Sequence, residues 1–435
     1  MPHWLIILFV FLLGSCVGSF LNVLVWRLPR IEYKPGETFW QEMMRTVREL
    51  SHPPSHCPRC NNLLKWYDNI PIIGWLKLGG KCRFCRDPIS PRYPIVETVT
   101  ALLFVFYYVM FFMVGVGPCP PNAPFVIGSF PLRGPPMIWL WHWPIYLLYM
   151  FMIAGLLAAS IIDFEQFIIP IVIPWVMAIV GIIVHAIIDK PNVPGALNAN
   201  ASVAALGLGG GIGLLISIIL WHLEHLPTSF ATGDPLLEVE RDALQQEVEA
   251  ARAKGEQVED LPASYTPAQI RAEMRKEMLF LMAPMLLACI AWGMVNFVPA
   301  VGGPWGKATS YFWVTGLCGA IFGGLVGAFV VWLVRILGTL GFGRVAMGMG
   351  DVHLMFGVGA VIGAGSSTVA FFIAPFFGII LALYLIITGK RREIPYGPYL
   401  SMASAFVILF SCPILAWLTP GMLGLRQLIL ERIGI

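Results

Sequence analysis

The chain has 435 residues, of which 57% are hydrophobic and only 12% charged, where a soluble domain carries about 25% charged residues. The apolar residues are bunched into runs of about twenty, the length that crosses about 30 Å of hydrocarbon. This excludes a soluble enzyme, a secreted disulfide scaffold and a disordered chain, and the net charge of +3 gives no reason to expect a nucleic-acid partner. What remains is an all-α polytopic membrane protein, with the lipid bilayer as its surroundings.

In chain order, the hydropathy pattern predicts spans at 4–26, 94–115, 144–162, 168–188, 202–222, 278–298, 311–337, 366–388 and 398–419. A shorter apolar stretch, 352–365, reads as a half-span or re-entrant piece. The expectation is thus about eight to ten transmembrane helices plus a small zinc-knuckle cytoplasmic domain. Residues 1–26 hold the first span. Leu13-Gly14-Ser15-Cys16 has the look of a lipoprotein cleavage box, but the apolar run continues to Trp26 and no basic residue precedes it, so a plain span is expected. Residues 27–93 form a compact cysteine-containing domain and 94–222 a first set of membrane helices. Residues 223–277 form a charged helical insertion, with one helix over Glu238 to Lys254, a break at Pro262 and a second helix over Ser264 to Arg275. Residues 278–435 hold the remaining spans.

Lys and Arg set the expected orientation. The segments 27–93, 223–277, 335–351 and 389–397 together hold 23 of the 28 basic residues, and an excess of this kind marks the cytoplasmic side. The amino terminus is then outside, with the cysteine domain, the insertion and the links 163–167 and 338–351 inside.

Cys57-Pro-Arg-Cys60 and Cys82-Arg-Phe-Cys85 are two C-x-x-C pairs with 21 residues between them. Each pair is a tight knuckle aiming two thiolates at one point, and two knuckles complete a tetrahedral S4 site suited to structural Zn2+. In a reducing cytoplasm disulfides are the weaker reading, and a metal-free or redox knuckle pair is the alternative. Cys16, Cys119, Cys289, Cys318 and Cys412 are scattered in apolar sequence and are expected to pack as small hydrophobes.

Most Asp residues lie in the cysteine domain, the insertion or an outer loop. Asp163 and Asp351 instead sit beside spans on the expected cytoplasmic side, Asp163 at the end of one and Asp351 after the glycine-rich run Gly343-Arg-Val-Ala-Met-Gly348-Met-Gly350. An ionisable group next to hydrocarbon is costly and reads as functional. Two carboxyls from distant segments that meet at one depth can share a proton, one acting as base on a water and the other as acid on a peptide carbonyl. The plainer alternative is that each caps a helix, Asp163 the one starting near Phe167 and Asp351 the one starting at His353. Glu165 is near enough to stand in for Asp163, and His353 to pair with Asp351.

These residues resemble the bacterial type IV prepilin peptidases. The resemblance runs through Gly18-Ser-Phe-Leu-Asn22-Val-Leu-Val-Trp-Arg27-Leu-Pro29, Ser55-His-Cys-Pro-Arg-Cys60, Trp66-Tyr-Asp-Asn-Ile-Pro71, Gly80-Lys-Cys-Arg-Phe-Cys85 and Ile89-Ser-Pro-Arg-Tyr-Pro94-Ile-Val-Glu97. It continues at Ile162-Asp163 with Pro170 following, at Gly348-Met-Gly-Asp351 and at Ile394-Pro-Tyr-Gly-Pro398. It implies an inner-membrane aspartic endopeptidase with Asp163 and Asp351 as its pair. The substrate would be a prepilin or pseudopilin, cut after a Gly between a short basic leader and an apolar helix. It also implies S-adenosylmethionine-dependent methylation of the new amino terminus. The chain departs from the family pattern at Ile171, where Asp is common, at His353, where Lys is usual, and at Gly74, where Ser is common. A peptidase without methyltransferase activity and a non-catalytic membrane assembly factor are the competing readings.

Overall fold

A computed structural model describes residues 2–31, 39–52, 55–57, 59–118, 136–191, 193–230, 265–387 and 395–433. Among the described residues there is no β-strand, only two isolated bridges, His56 with Leu63 and Lys81 with Pro88. Helices dominate because apolar sequence in lipid has no water for its peptide groups, so each segment must bond within itself.

The first half holds α1 (His3–Arg27), α2 (Phe39–Ser51), the short α3 (Ile73–Lys77), α4 (Arg92–Val109, extended by a π turn to Val114), α5 (Trp139–Gln166), α6 (Val172–Ile188) and α7 (Ala201–His222). The second half holds α8 (Pro267–Phe297), α9 (Pro299–Ala308), α10 (Phe312–Phe342), α11 (Met349–Ile387) and α12 (Gly397–Ile433). Among the described residues, eight helices are long and apolar enough to cross a membrane. The expected span 168–188 is the shorter helix Val172–Ile188. The second helix expected in the insertion, over Ser264 to Arg275 and leading into the membrane, continues without a break into the following span as α8. Its start is Thr266, whose hydroxyl takes the Gln269 N–H while the Gln269 side chain takes the Thr266 N–H, a capping box. The helix expected over Glu238 to Lys254, the break at Pro262 and Cys119 lie outside the described residues.

Three pairs of glycines spaced by four bring helices together. Gly14 and Gly18 of α1 face Ala101 and Glu97 of α4 so closely that an added Cβ would stand 2.8 and 2.7 Å from their Cα atoms. Gly209 and Gly213 of α7 meet the carbonyls of Leu287 and Ala283, and Gly323 and Gly327 of α10 meet those of Gly359 and Met355. In lipid, where apolar side chains gain nothing by leaving their surroundings, close backbone approach is what joins helices.

α11 is two arms. Gly363 has φ 80 and ψ 169, which only glycine adopts freely. A straight helix would carry Gly378 about 40 Å past Asp351. Instead Gly378 packs on the Tyr399 ring, two residues from Gly397, whose N–H reaches Asp163. The chain therefore turns back at Gly363, within the stretch expected as a half-span. The turn is held at the far end of the bundle. The Val361 carbonyl there is 2.9 Å from His185 Nε2, and His185 Nδ1 is 2.8 Å from Asp189 Oδ1, with both side chains fully buried.

The lone cysteines correct one expectation: Cys318 is buried and free, but Cys412 is disulfide-bonded and so is not a free small hydrophobe.

Candidate active site

Asp163 lies in the last turn of α5. The helix ends at Phe167, which is left-handed (φ 56) and donates its N–H to the Asp163 carbonyl. Pro170 and Ile171 then start α6. The Asp163 carboxylate caps neither helix. Its Oδ2 accepts the N–H of Gly397 at 3.1 Å, from the first residue of α12. A Cβ on Gly397 would stand 2.5 Å from that oxygen, so only glycine leaves room for the bond.

Asp351 lies in the first turn of α11. Gly348 lies against its carboxylate, where a Cβ would stand 3.4 Å from Oδ2, and the helix starts at Met349 rather than at His353. The two carboxyls are within electrostatic reach of each other. Ile169 spans the gap, with its side chain against both Gly350 and Gly397. Asp163 is 6% exposed and Asp351 7%. Glu165 is turned away and pairs with Arg92 at 2.7 Å. His353 lies against the Trp175 ring, centroids 6.4 Å apart. The structure thus buries Asp163 and Asp351 to either side of Ile169 and gives their two neighbours other partners.

Sequence reasoning missed the groups around Asp351. Arg335 of α10 and Glu277 of α8 form a buried pair at 2.8 Å, and Trp332 Nε1 donates to Glu277 Oε2 at 2.7 Å. Removing one partner of such a pair costs about 3–5 kcal/mol. The signal was present as two charges inside apolar helices, but Glu277 was counted with the insertion and Arg335 with the basic residues that set orientation.

The cysteine pairs fold as two copies of one knuckle. Cys57 N–H bonds to the Asn62 carbonyl at 3.0 Å and Cys82 N–H to the Asp87 carbonyl at 2.8 Å. The residue after each second cysteine is left-handed, Asn61 (φ 54) and Arg86 (φ 61). The four sulfurs lie within 4.8 Å of one another, with Cys57 and Cys85 3.8 Å apart and Cys60 and Cys82 3.9 Å apart. A tetrahedron with Zn–S of about 2.3 Å has edges of about 3.8 Å, so the donor set fits Zn2+. Backbone N–H groups of Cys85 and Phe84 draw the Cys82 thiol down to about 7, toward the thiolate a metal requires. Beside the knuckles, Arg83 pairs with Asp68 through two bonds of 2.8 and 2.5 Å and holds its carboxyl below the usual range.

Glu97, the last residue of the amino-terminal motifs, joins this domain to the membrane helices. From α4 it accepts the Ile72 N–H at 2.7 Å, where Ile72 has φ 62, a strained conformation for a β-branched residue.

Residues 12–111 match the bacterial peptidase A24 N-terminal domain. The chain is 47% identical over 96 residues to a prepilin leader peptidase/N-methyltransferase of Myxococcus xanthus, covering 22% of this chain and 24% of that relative. It is 45% identical over 94 residues to a type 4 prepilin-like proteins leader peptide-processing enzyme of Escherichia coli, covering 21% of this chain and 35% of the relative. It is 42% identical over 104 residues to a prepilin leader peptidase/N-methyltransferase of Pseudomonas aeruginosa, covering 22% and 36%. The similarity thus spans well under half the length of these relatives, and no solved structure matches. The chain is thus similar, over about a quarter of its length, to prepilin leader peptidases.

Proposed function

We propose that the protein is a membrane aspartic endopeptidase that removes the leader of prepilins or pseudopilins, cutting after Gly at the cytoplasmic face, and methylates the new amino terminus with S-adenosylmethionine. The observation that carries the peptidase reading is the meeting of Asp163 and Asp351, 188 residues apart in sequence, in one buried place at the ends of α5 and α11. Two buried carboxyls within electrostatic reach of each other would hold one proton between them. The carboxylate takes a proton from a water, whose oxygen attacks the scissile carbonyl carbon. The acid donates to the carbonyl oxygen. The C–N bond then breaks, and the nitrogen leaves with a proton returned by the pair.

The distribution of basic residues supports a cytoplasmic side for this pair, the cysteine domain and the insertion, with the amino terminus outside. A substrate whose leader stays in the cytoplasm while its apolar helix lies in the bilayer is accessible there. The names of the relatives support the substrate class and the methyl transfer. Cys57, Cys60, Cys82 and Cys85 would hold Zn2+. A closed S4 set has no open position, so the metal would hold the domain together and do no chemistry.

The test is incubation of the detergent-solubilised protein with a prepilin, reading leader loss and the mass of the mature terminus. A shortened pilin whose terminus is heavier by one methyl group is expected. An intact prepilin, or normal processing by Asp163→Asn or Asp351→Asn, would reject the aspartic pair.

A further inference from the structure

Arg335 lies inside α10, where a guanidinium is costly unless its donors are used. They are. Nε is 3.1 Å from both Glu277 carboxylate oxygens and Nη2 is 2.8 Å from Oε1. The second oxygen of Glu277 also takes the Trp332 N–H. The Phe230 ring lies 5.8 Å from the guanidinium carbon. With Glu277 holding one side of the fork, the remaining nitrogen, Nη1, donates to the main-chain carbonyl of Met347.

That carbonyl and the Gly348 N–H are the two ends of a single peptide group. Its oxygen faces Arg335, and Gly348 lies against the Asp351 carboxylate, where a Cβ would stand 3.4 Å from Oδ2. A peptide followed by glycine can rotate through about half a turn, because glycine tolerates the resulting positive φ. Rotation would swing the carbonyl oxygen away from Arg335 and change the dipole that Asp351 meets. One residue earlier, the Ala346 N–H is tied to Thr339 Oγ1 at 3.1 Å, which fixes the approach but not this peptide. We infer that Arg335, braced by Glu277, is a positioning residue that locks the Met347–Gly348 peptide in place beside the Asp351 carboxylate.

The inference rests on the aspartic reading above for its effect on rate, but the lock itself has a readout free of activity. The variants are Arg335→Gln, Arg335→Lys and the paired Arg335→Gln/Glu277→Gln. The pair removes both buried charges together and so avoids an orphaned carboxylate. Each is purified in detergent and compared with the parent and with Asp351→Asn. In the paired variant, kcat for prepilin cleavage is expected to fall about a hundredfold, the scale of a small misplacement at a reacting group, with KM little changed. Lysine keeps the charge but not the fork, so Arg335→Lys is expected to recover part of the loss. Hydrogen exchange of the Gly348 amide is expected to rise in Arg335→Gln and in the pair while exchange in α1 and α4 stays at the parent rate. A folded paired variant with parental kcat, or a Gly348 amide that exchanges as in the parent, overturns the inference. Parental cleavage by Asp351→Asn overturns the aspartic reading instead, and the exchange measurement then still decides whether Arg335 holds the peptide.

Discussion

The cysteine domain and the carboxylate site are built in opposite ways. In the domain, each half of the metal site is made within a few residues. A knuckle turns, a left-handed residue follows, and the first cysteine's N–H closes on a carbonyl five residues on. At the carboxylate site nothing is local. Asp163 ends one helix, Asp351 begins another, and the N–H that holds Asp163 comes from Gly397 on a third. The local site depends on side-chain identity. The distant one depends on which backbones are allowed to come close, and glycines decide that at Gly348, Gly350 and Gly397.

The largest expected effect tests the dispersed site directly. Asp163→Asn and Asp351→Asn should each lower cleavage by about a thousandfold or more, within the range a positioned acid or base supplies, while the protein still accumulates. Next comes Gly397→Ala. Its Cβ would press on Asp163 Oδ2, so the carboxylate must rotate away and lose its N–H partner. A fall in kcat of about a hundredfold is expected, with zinc content and folding unchanged. Parental activity in Gly397→Ala would show that this contact does not set the geometry of Asp163.

The local site is probed by Cys82→Ser, read by metal analysis and by proteolysis of residues 55–90. Loss of zinc and faster cutting in that segment are expected, because a tetrahedral set short of one thiolate binds far more weakly. Cleavage should suffer less than in Gly397→Ala, since the carboxylates belong to other helices. If Cys82→Ser kept its full metal content, the four sulfurs would not be the binding set.

This contrast also accounts for what the sequence revealed. The knuckles were legible because spacing alone states them, and Asp163 and Asp351 because acids beside apolar spans are scarce. The helices were legible from hydropathy, and the break of α11 at Gly363 falls within three residues of the boundary expected between the half-span 352–365 and the span 366–388. Gly397 was unreadable as a donor to Asp163, since its partner is 234 residues away. Arg335 and Glu277 were hidden because charges near span ends usually extend to water, whereas here they face each other inside the bundle. Cys412 carried no spacing signal for its disulfide.

The smallest expected effect lies between the two regions. Arg83 holds the Asp68 carboxyl below its ordinary range, and Lys65 and Lys77 add to that. A carboxyl whose folded value is depressed contributes stability above its unfolded value of about 3.9. That contribution disappears as pH falls through the lower folded value. The cysteine domain should therefore loosen as pH falls below about 4 in the parent, on top of any loss of metal at the thiolates. In Asp68→Asn the carboxyl part of this acid sensitivity should vanish, because no proton remains to be taken up there. Arg83 is partly exposed, so the shift is small and is best read as a difference in acid midpoint between parent and variant with metal held off both by a chelator. Identical midpoints would mean that the Arg83 pair does not stabilise the domain, and that the knuckles alone hold Trp66–Asp68 in place.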